Sequence, residues 1–282
     1  MRFTTRLRRT QIPAQIKPWI CVNQARIVDD SFPLGNFPRR ADINAMTLKT
    51  QIDHLVIVAK TLEIGVQWCE ATLGVTPGLG GGHAQYGTHN RLFKIASPTH
   101  PLAYFEIIAI DASVAWPSNP PIKRWFGMDD EALRAAVDQL PRLVNFVVST
   151  GDIHKTRSAL KPLDIDPGAA VLTERHSRKG LLHWQITVRE DGQRLFNGAL
   201  PSLIQWGKPT AAEPLRLHPR NSLPRSRVTL RSIAVTHPTA DKLQAAYAAI
   251  GLAGIAVETG PANLTATLQT PKGLITLHSE GF

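Results

Sequence analysis

One pattern recurs three times along this chain, a strand, then a helix, then three short strands, and it limits the fold more than any other feature. The runs Ile52–Ala59, Leu143–Thr150 and Thr229–Thr236 are rich in β-branched and apolar residues and read as buried strands. Each leads through a short polar connection into a helical segment. These segments are Leu62–Leu73, closed by Gly74; about Ile153–Leu163; and Ala240–Ile250, closed by Gly251. Strand-like runs follow each helix. The first unit offers Val75–Leu79, Asn90–Ala96 and Ala103–Ile110, and the second Ala170–His176, Leu181–Arg189 and Leu200–Trp206. The third offers Ile255–Thr259, Leu264–Thr270 and Leu274–His278. The pattern predicts an α+β fold with a basic, disordered extension over 1–45 that the native start codon could exclude. A domain of two βαβββ units follows over 46–206 (51–110 and 142–206), then a linker over 207–226 and a third βαβββ unit over 227–282.

Within the first unit two strands carry one polar residue each where water does not reach. Ile52-Asp53-His54-Leu55-Val56-Ile57-Val58 sets an imidazole into an apolar strand, and Tyr104-Phe105-Glu106-Ile107-Ile108 does the same with a carboxylate. Strict alternation puts His54, Val56 and Val58 on one face and Asp53, Leu55 and Ile57 on the other. A buried charge must be paired, ligated or used.

The formal net charge of +10 is uneven: residues 1–45 hold eight Lys/Arg against three acids, which supplies half of it. No helix-turn-helix, zinc finger or aromatic-plus-basic strand motif accompanies that charge, so it reads as a basic tail and a solvated surface, and no nucleic-acid partner is expected. No apolar run approaches the ~18 residues of a membrane span. Cys21 and Cys69 form no metal or redox motif, and a cytoplasmic protein is expected.

A βαβββ unit that opens with Asp-His-Leu-Val and ends in a strand with a lone Glu resembles the vicinal oxygen chelate superfamily, which includes the glyoxalases, bleomycin resistance proteins and dioxygenases. Gly80-Gly81-Gly82-His83, Gly87-Thr88-His89-Asn90, Tyr104-Phe105-Glu106 and Arg124-Trp125-Phe126-Gly127-Met128-Asp129 are similar to its glyoxalase-like domain branch. The resemblance implies paired βαβββ units around an open barrel-like cleft, with an additional C-terminal βαβββ unit here. It also implies metal ligands on the first and last strands of each unit. His54 and Glu106 fall there in the first unit, but Asn145 and Gln205 take the matching places in the second. One imidazole and one carboxylate would hold a divalent Fe, Mn, Ni or Zn ion loosely. The alternative is a metal-free polar network in which His54 and Glu106 bond each other or Asn145.

Other residues are expected at the same cleft. His83, Thr88 and Asn90 suit a pocket mouth, whereas His89 and Arg91 alternate to the opposite face. Gly78–Gly82 matches no phosphate-binding motif and reads as a flexible turn. Trp125 and Phe126 either line a pocket or pack their connection onto the core. His176, His183, His218, His237 and His278 have no ligand spacing and read as surface or core histidines. The third unit has Ser232 or Ile233 where His54 stands, so it is expected to complete a sheet or to make a homodimer contact.

Two functions follow as expectations. One is a metal-assisted lyase, isomerase or dioxygenase that acts on a small oxygen-rich metabolite, with Glu106 and His54 catalytic. The other is a protein that sequesters a small molecule in the same cleft without catalysis. A third reading, an interaction domain, uses the third unit and the basic tail as contact surfaces. The neutral amides of Asn145 and Gln205 lean against strong metal catalysis.

Overall fold

The computed structural model describes residues 48–117, 122–177, 180–207, 215 and 217–282. The expected extension over 1–45 lies outside them, as do residues 208–214 of the expected linker. The first unit runs β1 (Gln51–Val58), α1 (Leu62–Leu73), β2 (Gly78–His83), β3 (Thr88–Lys94) and β4 (Tyr104–Ile110). Thr61 caps α1 by accepting from the Ile64 N–H at 3.3 Å, and Gly74 ends it in the left-handed region at φ 72°. A connecting helix α2 (Glu131–Gln139), capped by Asp130, leads into the second unit. That unit runs β5 (Arg142–Ser149), α3 (Ile153–Ser158), β6 (Ala169–Ser177), β7 (Gly180–Val188) and β8 (Ser202–Trp206). Helix α3 stops short of the expected Leu163 because Pro162 has no N–H to give and its ring crowds the carbonyl four residues back. The remainder tightens into a 3₁₀ turn at Lys161–Leu163.

The eight strands form one sheet in the order β2-β3-β4-β1-β5-β8-β7-β6. In each unit the first strand pairs parallel with the last, β1 with β4 and β5 with β8. The antiparallel β1–β5 pair joins the two units at the centre. The sheet curls until its ends approach, and Gln85 Nε2, just beyond β2, donates to Thr173 Oγ1 on β6 at 2.8 Å. The result is an open barrel. Val56, Val58, Tyr104, Ile108, Val144 and Ile204 point into its hollow. Leu55, Ile57, Phe105, Phe146 and Leu203 face outward beneath the helices.

The third unit has the expected element order, β9 (Thr229–His237), α4 (Ala240–Ala249), β10 (Ala256–Thr259), β11 (Asn263–Thr270) and β12 (Gly273–His278), but a different pairing. Its strands lie in the order β10-β9-β11-β12, so β9 sits between a parallel and an antiparallel neighbour. It forms a sheet of its own and packs on the outside of the barrel. Leu264, Ala266 and Leu268 share one apolar core with Phe146 and Leu203. Tyr247 Oη donates to the Ala199 carbonyl at 2.6 Å across that junction.

Two local departures from the expected pattern shape the hollow. The β1–β5 register shifts between Ile52 and His54, a bulge at Asp53. A bulge breaks alternation, so Asp53 and His54 turn to the same side. The glycine run Gly78–Gly82 is an edge strand rather than a turn. Gly80 is required by close approach to β3, since a Cβ there would lie 2.0 Å from Asn90 Oδ1 and 2.3 Å from the Asn90 carbonyl oxygen.

Candidate functional site

The barrel hollow holds the two polar residues that the apolar strands enclose. His54 and Glu106 are almost fully buried, at 3% and 5% exposure, with His54 Nε2 3.5 Å from Glu106 Oε2. Both sit on the paired strands β1 and β4, whose parallel register sets Val56 beside Glu106 and His54 beside Tyr104. The Tyr104 ring stacks on the His54 imidazole at 4.5 Å.

Behind His54 lies a fully buried carboxylate. Asp53 Oδ1 accepts from His54 Nδ1 at 2.8 Å, and Oδ2 accepts from Trp206 Nε1 at 2.8 Å and from His218 Nε2 at 3.0 Å. Burial alone would push the Asp53 carboxyl up. The contacts with His218, and then those with His54, outweigh it and hold the group well below the usual carboxylate range. An ionised carboxylate only accepts, which fixes both imidazole tautomers. His218 Nδ1 accepts from the Arg220 backbone N–H at 3.1 Å, so its proton sits on Nε2. His54 carries a proton on Nδ1, and its Nε2 turns toward Glu106 Oε2.

In front of Glu106 a second relay positions the carboxylate. Asn90 Nδ2 donates to Glu106 Oε1 at 2.5 Å, while Asn90 Oδ1 accepts from the Gly81 N–H at 2.8 Å. His83 is buried at the side. Thr88 Oγ1 lies 3.3 Å from its Nδ1, and Trp125 meets it edge-on at 4.9 Å. Burial, then the charge of Arg175, lowers the His83 pKa to about 3, so its ring stays neutral at neutral pH.

Trp125 and Phe126 close one wall. Trp125 stacks on Tyr86 at 4.3 Å, and Phe126 holds a left-handed backbone at φ 57°. Such a conformation costs a bulky residue about 1–2 kcal/mol. It is anchored from both sides: Asp129 accepts from the Arg124 N–H and from its guanidinium, and the Gly127 N–H donates to the Gly192 carbonyl at 2.8 Å. The space left in this inner chamber is about 30 Å3, room for a water or two. It adjoins an outer cleft of about 580 Å3 between β2, β6 and the segment Leu217–Pro224.

The chamber therefore gathers His54, Glu106, His83, Asn90, Trp125 and Phe126, with Thr88 behind His83. It does not gather the two residues of the second unit. Asn145 spends its amide on the Gly198 and Leu200 carbonyls and on the Ser202 N–H. Gln205 faces α3, where Oε1 accepts from the Ile153 N–H at 2.9 Å. Nor does Asn145 bond His54 or Glu106 as the network alternative allowed. Alternation along β8 turns Gln205 outward, whereas Asn145 stays on the inner face of β5 opposite Val56 and is held off the pair by its backbone partners. Asp53, Trp206 and His218 were missed as partners. The first was hidden by the bulge, and the last lies in the irregular linker, where no periodicity marks a side chain as buried.

The donor set does not fit a firmly held metal ion. His54 Nε2 and Glu106 face each other in the chamber, but among the described residues no cluster of three or more His, Cys, Asp or Glu side chains is placed to ligate an ion. Two strong donors are fewer than the three of a typical catalytic zinc site.

The paired βαβββ barrel with its His and Glu on adjacent strands defines the class, and the sequence match agrees. The model of the glyoxalase-like domain family matches residues 52–251, so the chain belongs to that family, within the vicinal oxygen chelate superfamily. Among solved structures the chain is similar to a hypothetical protein from Staphylococcus aureus (15% identity, 81% of this chain and 84% of that one, TM-score 0.49). It is also similar to a mutant 4-hydroxymandelate synthase from Streptomyces coelicolor (12% identity, 82% and 63%, TM-score 0.43). A third is methylmalonyl-CoA epimerase from Mycobacterium tuberculosis (15% identity, 57% and 89%, TM-score 0.32). No curated protein matches the chain. Among the described residues no helix is long and apolar enough to cross a membrane.

Proposed function

We propose that this protein is an enzyme that moves a proton on a small oxygen-rich metabolite, as an isomerase or lyase does, with Glu106 and His54 as the exchanging pair. The observation that carries the reading is the way Asp53 accepts a hydrogen bond from His54 Nδ1. It leaves His54 Nε2 and Glu106 Oε2 facing each other at 3.5 Å in a chamber with room for only a water or two. A single proton between them is one the pair can give and take back. One member removes a proton from the carbon beside a substrate carbonyl. The other returns it to the oxygen or to a neighbouring carbon, so the net reaction is a proton shift. Asn90 holds the Glu106 carboxylate in line, and Tyr104 and Trp125 exclude water. Isomerisation asks for proton transfer alone, and elimination for removal of a proton by one member and protonation of the departing group by the other, both of which this pair can supply; oxygen chemistry asks for a firmly held redox metal, which the donor set does not fit.

The test is hydrogen exchange. Small 2-oxoaldehydes, 2-oxoacids and hydroxyketones are incubated with the protein in D2O, and deuterium uptake at the α-carbon is followed by NMR. Uptake by the wild type that Glu106→Gln and His54→Gln each abolish supports the enzyme. A binding-only role for the same cleft is favoured by one observation, the replacement of the second unit's expected ligands by Asn145 and Gln205. Compounds that bind without any exchange, equally well in both variants, would establish that role instead.

A further inference from the structure

Arg175 stands on β6, at one end of the eight-stranded sheet, and its guanidinium reaches across the barrel gap to the glycine strand at the other end. A Cβ on Gly81 would lie 2.5 Å from Arg175 Nη1 and 2.8 Å from Cδ, so the glycine makes the space that the arginine fills. The side chain forms part of the wall of both the inner chamber and the outer cleft. Its Nη1 is buried and has no hydrogen-bond partner among the described residues. No ion pair among the described residues takes it up. The described residues that line the outer cleft include no Asp or Glu, and the charged or titratable ones are Arg175, His176 and His218.

A buried guanidinium nitrogen with no acceptor is costly and calls for an anion. The planar fork of arginine suits a carboxylate or a phosphoryl group, either of which it grips by two parallel hydrogen bonds. The two cavities differ about twentyfold in size, about 30 against about 580 Å3, and Arg175 stands where they meet. The inner one admits only the reacting end of a ligand.

We propose that Arg175 is the anion-recognition residue of this site. The substrate is an acid whose carboxylate or phosphoryl group pairs with Arg175 at the throat, with its reacting carbon toward Glu106 and His54 and its remainder in the outer cleft. The assignment rests on the proton-transfer reading for its inner end, but its test does not.

The probes are malonate and inorganic phosphate, titrated into the whole protein and followed by tryptophan fluorescence, since Trp125, Trp184 and Trp206 line the chamber, and by melting temperature. The wild type is expected to bind at least one of them saturably. Malonate alone assigns the carboxylate, and phosphate alone the phosphoryl group. Arg175→Gln should weaken that binding about tenfold or more, Arg175→Lys less, and the exposed control Lys242→Gln not at all. Without anion, Arg175→Gln should melt no lower than the wild type, because it removes a buried guanidinium nitrogen that has no acceptor. The assignment is overturned if neither anion binds saturably, if Arg175→Gln binds as the wild type does, or if Lys242→Gln loses as much as Arg175→Gln. Anion binding that survives in Glu106→Gln, with no deuterium exchange by the wild type, sinks the proton-transfer reading and leaves the anion site standing. The reverse result sinks only the anion site.

Discussion

Asp53 and His54 are neighbours in the chain and also hydrogen-bonded partners, Oδ1 to Nδ1 at 2.8 Å, because a bulge in β1 turns both side chains into the same hollow. Successive strand residues ordinarily face apart. Here the exception orients the imidazole, and Trp206 and His218 complete the shell around the carboxylate.

Asp53→Asn should therefore do more damage than its size suggests. The amide has one acceptor oxygen for three donors, and its NH2 opposes an N–H. A loss of about 3 kcal/mol in denaturant unfolding is expected. Any deuterium exchange should fall further than stability explains, since His54 is freed to carry its proton on Nε2. An Asp53→Asn protein as stable as the wild type would show that the three bonds do not hold the core.

The protein should weaken in mild acid through His83. Its pKa is lowered to about 3 in the fold against an ordinary value near 6.5, so below pH 6.5 the unfolded chain binds a proton that the folded chain refuses. Stability is thus full above about 6.5 and is lost as pH falls toward 3. At pH 5 the cost is on the order of 2 kcal/mol. Melting curves from pH 8 to 5 should show the decline, and His83→Gln should flatten it. Asp53 adds a second loss, which begins as pH falls through the ordinary carboxylate range and continues below it toward its depressed pKa.

Gly80→Ala should break the positioning of Glu106 from a distance. The added methyl would collide with Asn90 Oδ1 and its carbonyl, and Asn90 is what holds Glu106 Oε1. A destabilisation of about 2 kcal/mol is expected, with exchange reduced as strongly as in Asn90→Ala. Gly82→Ala, which meets nothing within 4 Å, is the control.

Chelation should leave the melting temperature unchanged. An ion resident at a hundred times its Kd would add about 2.7 kcal/mol, and its removal would show plainly. Elemental analysis of protein purified without chelator checks the same point. Stoichiometric metal that His54→Ala abolishes would contradict the two-donor reading of the chamber.

Local chemistry was enough to place most elements. Alternation and β-branching marked β1, β5 and β9. Gly74 closed α1 after Leu73. The isolation of His54 and Glu106 in apolar strands marked them as the chemical question, because burial of a lone polar group is a property of sequence context. Their meeting was not legible in the same way, since it requires β1 and β4 to pair in parallel at one register.

What the sequence determined by itself was the threefold repeat, the identity of most of its strands and helices, and the two polar residues that the core must accommodate. Only the tertiary structure decided which groups those residues touch. His218 comes from an irregular segment, Arg175 crosses from the far end of the sheet, and Asn145 and Gln205 turn to nearby backbone groups instead. The third unit likewise keeps the element order of the others while its strands pair differently. The physical reason is range. Periodicity, capping and breakers act over a few residues, whereas a bulge's direction, strand order and the partner of a buried charge are set by contacts between segments distant in sequence.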